Sequence, residues 1–442
     1  MRRAGLTLLI TVLAVVFAGA RAGAAEPDSG RAGTSESTRR DPVASFFDDI
    51  LTRPTLLGDD WFFADKGLTF NIDLTQITQG VVSGGTDASW QYGGRGNVLA
   101  NLDTQKFGLW PGGFFTVEIE WNFGDSVDAS TGALVPANTN QIFPVPPGDK
   151  LGVPNLSFAQ FLSPYAGVTV GKFDTMSGDM NEFAHGKGDK QFMNTALSIN
   201  PVALMVPYST LGAGVIVLPT KDPSHAIVNA LVVSATGDAN TAGFDDLASD
   251  NLLFSVEGRV RTDFFGLTGH QTVGGFYSNR KYVSLDQRLG FVIQDRALRP
   301  TQDTWAVFYN FDQYLYEIDK DAGRGLGIFG RFGASEGDPN PAEYMLSIGF
   351  GGKGPLAQRP HDRFGVGYYY IFMNEPKLQL PFTTRTFLRD EWGVEVFYNF
   401  AITPWMLLTP DIQVIGPAQI RRTNGKSVDL ATILGLRLQL IF

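Results

Sequence analysis

The last fourteen residues, Asp429 to Phe442, read DLATILGLRLQLIF. Thr432, Leu434, Leu436, Leu438, Leu440 and Phe442 fall on one side of a period of two. Ile433, Gly435, Arg437, Gln439 and Ile441 fall on the other. Alternation of this kind is the signature of a β-strand, whose successive side chains point to opposite faces. Here one face is a continuous apolar stripe ending in an aromatic ring, and the other carries a guanidinium and an amide. In a soluble sandwich the apolar face would turn inward. In a transmembrane barrel it would turn outward to lipid, with the polar face towards a wet lumen. The rest of the chain has to decide between the two.

The composition narrows the choice. A chain of 442 residues that is 43% hydrophobic has the length of one large barrel or of two to three ordinary domains. Its one long apolar helical run is at the start. A basic Met1–Arg3 precedes the apolar stretch Leu6–Phe17, and Ala22-Gly23-Ala24 is a small-residue cleavage motif. This reads as a signal peptide over residues 1–25, because the run is short for a membrane-spanning helix. Loss of Arg2, Arg3 and Arg21 moves the formal charge from −10 to −13. Such an acidic chain is a poor partner for nucleic acid. It contains no Cys, 51 Gly, 34 Phe and 12% aromatics. An exported chain without cysteine takes its rigidity from something other than disulfides, and abundant glycine with abundant aromatics suits a barrel with aromatic girdles.

Residues 26–40, EPDSGRAGTSESTRR, have the composition of a flexible linker. In the segment 41–66, Val43, Phe46, Phe47, Ile50 and Leu51 have helical spacing, with Pro42 in the first turn and Pro54 as a stop. A short amphipathic helix at the periplasmic mouth is expected there. From 67 to 442 the alternation hardly stops. GGFFTVEIEWNF sets Phe115, Val117, Ile119 and Trp121 against Thr116, Glu118, Glu120 and Asn122. DRFGVGYYYIF sets Phe364, Val366, Tyr368 and Tyr370 on one face. The apolar stripes carry aromatics near segment ends, where membrane interfaces favour them. The opposite faces carry charges of both signs, and no helical domain is at hand to cover an apolar sheet. No short fixed repeat supports a soluble β-helix.

The expected fold is therefore all-β, a transmembrane antiparallel β-barrel of about sixteen strands with a short N-terminal helical segment. Strands are expected to start near residues 67, 90, 113, 154, 166, 210, 225, 251, 268, 303, 324, 342, 363, 391, 403 and 430. Connections such as LSPYAG, TKDPSH and AITP are short. Residues 124–153, 174–209, 280–302, 373–390 and 416–428 are long. Short turns alternating with long loops are the habit of bacterial outer-membrane barrels. The last strand must close against the first, since no open edge can stand in lipid.

The motifs EWGVEVFYNFAITPWMLLTPDIQVIGP (391–417), LGLRLQLIF, RFGASEGDPNP, RPHDRFGVGYYY, GKFD (171–174) and QFMNTALSINP (191–201) resemble the carbohydrate-selective porins of the OprB family over about residues 55–442. TLLGDDWFFADKGLTF departs from the family pattern, which would place a GDWGG-like stretch there. The resemblance implies a sixteen-stranded porin of the bacterial outer membrane that admits sugars by facilitated diffusion. The terminal Phe442, with Leu440 on the same face, resembles the signal that the barrel-assembly machinery reads.

A wide barrel is selective only where something narrows it. Loops 124–153 and 174–209 are long enough to fold inward. The second carries Asp174, Asp179, Glu182, His185, Lys187, Asp189 and Lys190. The candidate pore-lining set is Arg95, Glu118, Glu120, Lys172, Asp174, Glu182, Lys190, Glu257, Arg259 and Arg331. Parity adds Asp103, Arg261, Asp312, Glu395 and Arg437 to the inner wall. Guanidinium and carboxylate neighbours can serve sugar hydroxyls, which both donate and accept. The same charges could instead neutralise one another across water. Porins for anions or aromatic acids, and a barrel enzyme, are the alternatives. Against an enzyme, His185, His225, His270 and His361 fall in no GxSxG or HExxH setting. No catalytic residue, metal or cofactor is expected. The segment before the first strand is read as too short for the plug of an energy-coupled transporter. Outer-membrane lipid is the expected surrounding. The outer stripes would also serve the contacts of a homo-oligomer.

Overall fold

In a computed structural model, the chain is described over residues 66–144, 151–177, 179–244, 251–288, 298–320, 322–374, 376–379 and 384–442. The expected signal, linker and helix at Pro42–Arg53 lie outside the described residues. The strands are β1 (Leu68–Gly85), β2 (Trp90–Asp103), β3 (Gly113–Gly124), β4 (Leu151–Ser163), β5 (Ala166–Asp174), β6 (Ser209–Val217), β7 (Ala226–Ser234), β8 (Leu252–Phe264) and β9 (Leu267–Val283). They continue with β10 (Gln287–Arg288), β11 (Pro300–Asp319), β12 (Arg324–Ser335), β13 (Ala342–Lys353), β14 (Arg363–Met373), β15 (Lys377–Gln379), β16 (Thr384–Thr386), β17 (Glu391–Thr403), β18 (Met406–Gly416) and β19 (Asp429–Ile441). Sixteen of them close one antiparallel barrel, and the short β10, β15 and β16 form a separate sheet within the loops.

Closure is made by the stretch that opened the sequence analysis. β19 pairs with β18 on one side and with β1 on the other, from Asp73↔Ile441 to Gly85↔Asp429. The Phe442 N–H donates to the Ile72 carbonyl at 2.8 Å. The alternation resolves as the membrane reading requires. Arg437 and Gln439 are buried inside, whereas Leu434 faces out. The connections 164–165, 265–266 and 404–405 are two-residue turns at one end, and 125–150 and 175–208 are long loops at the other. Two connections on the long-loop side, 86–89 and 336–341, are themselves short.

The strand starts depart from expectation at a few places. β4 begins at Leu151 rather than near 154, and β11 at Pro300 rather than near 303. β18 starts at Met406 because the turn is Pro404-Trp405 and β17 runs on through Thr403. A proline, lacking an N–H, suits the turn better than the ladder.

One strand changes its exposure along its length. In β5, Val168 and Val170 are exposed on the outer face, whereas Lys172 and Asp174 further along are buried, Lys172 against the Thr241 carbonyl and Asp174 against the Lys187 ammonium. Gly171 between them has φ +138°, and a Cβ there would stand 2.3 Å from the Leu156 carbonyl oxygen. Glycine alone accepts that conformation. The strand keeps its register through Gly171, and Phe173 beyond it packs on the lumenal cluster.

The largest buried apolar cluster lies within the barrel, between loop 175–208 and the inner wall. Phe192 of the loop meets Phe329 and Phe397 of the wall at centroid distances of 5.3 and 4.9 Å. Glycines on the inner face open slots for these rings. A Cβ at Gly365 would be 2.7 Å from the Phe192 ring, and one at Gly327 would be 2.4 Å from the Phe183 ring. This half of the barrel is packed like a protein interior.

Candidate functional site

Loop 175–208 is fixed to the wall mainly through its own backbone. The Glu395 carboxylate accepts from Met193 N at 2.6 Å and Asn194 N at 2.9 Å. Arg437 donates from Nη1 to the Gly188 and Gln191 carbonyls. Arg331 donates to Leu197 O at 2.8 Å, to Ala184 O, and from Nε to Asp179 at 2.8 Å. Asn399 donates to Lys190 O at 3.2 Å. A loop inside a barrel carries amide groups that water cannot fully reach, and these wall side chains satisfy them. Loop 125–144 braces it from the far side, where Thr139 N donates to Met193 O at 2.8 Å.

At the tip, Lys187 enters a ring of carboxylates. Its Nζ donates to Asp174, to Glu120 Oε1 at 3.1 Å and to the Tyr208 hydroxyl at 3.1 Å, with Glu118 Oε1 at 3.5 Å. Burial alone would lower the Lys187 ammonium, but Asp174, Glu120 and Glu118 outweigh it and hold it above its usual range. Its backbone has φ +48° between Gly186 at +90° and Gly188 at +80°. The Gly-Lys-Gly run lets the chain make this left-handed bend and thrust the ammonium into the wall. Next to it, Arg95 donates from Nη2 to both carboxylate oxygens of Asp189, at 2.9 and 2.7 Å, and its Nη1 lies 3.5 Å from Glu120. His185 is held towards its neutral form by burial and by Arg363, and its Nδ1 meets the Asn181 carbonyl.

A cavity of about 160 Å³ remains beside the tip, lined by Arg95, Asn97, Glu118, Ser177, Asp179, Met180, His185, Lys187 and Asp189 among others. Across from it, Glu257 and Arg259 are half-buried on the inner face of β8, and Arg259 reaches the Met180 carbonyl at 3.5 Å.

The ten sequence candidates separate into two groups. Glu257, Arg259, Glu182 and Lys190 keep open surface in the lumen. Arg95, Glu118, Glu120, Lys172, Asp174 and Arg331 are buried. The correction is largest for Arg331. It is fully enclosed behind the loop and holds loop carbonyls instead of lining free water. Lys172 likewise reaches the Thr241 carbonyl in loop 235–251. The loop cation that meets the wall carboxylates is Lys187, which was outside the candidate set. Its flanking glycines were the available signal.

A family model described as "Carbohydrate-selective porin, OprB family" matches residues 87–442. Porin B of Pseudomonas aeruginosa is 26% identical over 196 residues, a stretch that spans 40% of this chain and 42% of Porin B. The high-pH structure of Pseudomonas putida OprB is 19% identical and covers 88% of this chain and 99% of that one, with a TM-score of 0.73. The low-pH structure of the same protein, 17% identical, covers the same shares with a TM-score of 0.56. At these identities the structures speak for the fold.

Proposed function

Because the chain belongs to the OprB family of carbohydrate-selective porins, we propose that it works in the bacterial outer membrane as a passive channel whose selective zone is the tip of loop 175–208 and the wall facing it. The observation that carries this reading is the seating of that loop. Glu395, Arg331 and Arg437 pin it across the lumen. Beside it remains a small polar opening rich in both donors and acceptors. A sugar crossing there exchanges water hydrogen bonds for bonds to Arg259, Glu257, Asp179 and the exposed edges of Asp189 and His185. Each contact must be weak enough to permit exit. The solute passes unchanged, and we place no chemical step in the channel. The buried members of the set, Arg331 and the Lys187 cluster above all, act as struts that fix the opening. In the same reading residues 1–25 direct export, 26–40 are a linker, 41–66 cover the periplasmic mouth and 67–442 are the barrel.

A second solute class is favoured by one feature below the loop. Lys353 and Arg363 are cross-strand partners on the inner face, and with Glu182 and Gln191 they line one recess. Lys190 is held below its usual range by burial and by Arg363. Cations gathered around one carboxylate suit sugars that carry a carboxylate of their own. The test of both readings is block of ion current in a planar bilayer by D-glucose and by D-gluconate. Saturable block by glucose supports the sugar reading, and tighter block by gluconate supports the second. Current unaffected by either would leave a general-diffusion pore.

A further inference from the structure

Above the constriction, on the side of the long loops, is a larger cavity of about 430 Å³. Its floor is a buried cluster of Phe143, Met176, Tyr208 and Ala239. Phe143 and Tyr208 are partly stacked, with centroids 4.2 Å apart, and the Lys187 ammonium lies 5.0 Å from the Tyr208 ring. The floor of this cavity is thus joined to the roof of the selective zone, and Met176 lines both spaces. Its sides are Ile142, Leu204, Met205 and Val206, with Leu204 36% exposed. Two charged groups stand at the edge. Arg280 donates to Ala235 O at 3.0 Å and lies over the Tyr282 ring at 5.2 Å, and Asp238 accepts from Asn240 N at 2.7 Å.

The aliphatic sides of this lining offer little to a bare hexose. A sugar ring gains from a flat aromatic face and from donors and acceptors, but little from branched aliphatic walls. Aliphatic side chains held open in a water-filled vestibule gain only from an apolar guest. The volume is in the range of small-molecule sites, and mostly apolar walls with a few polar groups are their usual make-up. We propose that this vestibule is a receiving site for glycosides with an apolar aglycone. The aglycone lies against Leu204, Met205 and Ile142, and the sugar hydroxyls meet Arg280 and Asp238. The inference rests on the reading of the protein as a sugar channel and adds a class of solute to it.

The experiment compares block of single-channel current by D-glucose and by phenyl β-D-glucopyranoside, with the full chain in a planar bilayer. The phenyl glycoside should half-block at a roughly tenfold lower concentration, the gain expected for burying an aromatic ring in part. Leu204→Asn with Met205→Gln should abolish that preference and leave glucose block within about twofold. Ile142→Asn, on the opposite loop, should do the same and serves as an independent probe if the double variant fails to fold. Equal block by the two compounds in the wild type, or a preference that survives both variants, would overturn the proposal. Glucose without effect alongside strong phenyl glycoside block would refute the sugar-selective zone and leave this site standing.

Discussion

Arg259 and Arg331 are indistinguishable in the sequence: each is an arginine at a lumen-facing position of an alternating strand. In the fold they do different work. Arg331 is wholly enclosed and holds four loop groups, whereas Arg259 keeps open surface and touches one carbonyl at the edge of its range. Their alanine variants should therefore diverge. Removing one partner of a buried, fully bonded charge costs about 3–5 kcal/mol, because the other groups are left unpaired. Arg331→Ala should let loop 175–208 lift, raising single-channel conductance and open-channel noise while the barrel stays heat-modifiable. Arg259→Ala should leave conductance noise unchanged and raise the half-blocking sugar concentration severalfold. If the two variants gave the same single-channel record, the division between strut and solute contact would be wrong. What separates these residues is the path of a loop that meets only one of them, and parity contains nothing of that path.

At the scale of elements, the strands were legible because lipid and water enforce the alternation. β3 carries Val117 outward and Thr116 inward, where its hydroxyl donates to Asn101 at 3.0 Å. Val117→Arg would put a guanidinium into hydrocarbon at a cost of about 2–4 kcal/mol near the midplane. Thr116→Arg would place it in the wet lumen. The expected result is a lower unfolding midpoint in urea for the first variant and little change for the second; equal shifts would mean the register is reversed. The inward fold of loop 175–208 was legible only in part. Its length and charges pointed into the lumen, but Phe183, Phe192, Leu197 and Val202, all buried, have no period that names a partner. The matching signal is on the wall, as inward glycines such as Gly327 and Gly365 that make room for rings arriving from far along the chain. Lys172 and Asp174 were placed in the lumen as candidates, but by strict alternation they belong on the lipid face. Asp174, the last residue of β5, meets Lys187 in the lumen, whereas Lys172 is covered by loop 235–251.

On the scale of the whole molecule, the seam between β1 and β19 carries the topology, and the chain ends on it. Eleven registered pairs join the two strands, so the barrel does not depend on its last side chain for closure. The Phe442 N–H bonds to Ile72 O through the backbone, and alanine would keep that bond. The ring itself is only half-buried at the rim. Core Phe→Ala changes cost about 3–5 kcal/mol, and a ring that is still partly exposed should cost well below that. Phe442→Ala is therefore expected to change the stability of the folded barrel little. The resemblance of the C-terminal stripe to an assembly signal makes a different demand, because recognition by the assembly machinery would read the ring before the barrel exists. The two effects separate by where folding takes place. Refolded from urea into detergent, Phe442→Ala should reach the wild-type yield and midpoint. Expressed in cells, it should show a several-fold lower fraction of heat-modifiable barrel in the outer membrane. A loss of equal size in both settings would assign Phe442 to the stability of the seam, and no loss in either would remove it from assembly altogether.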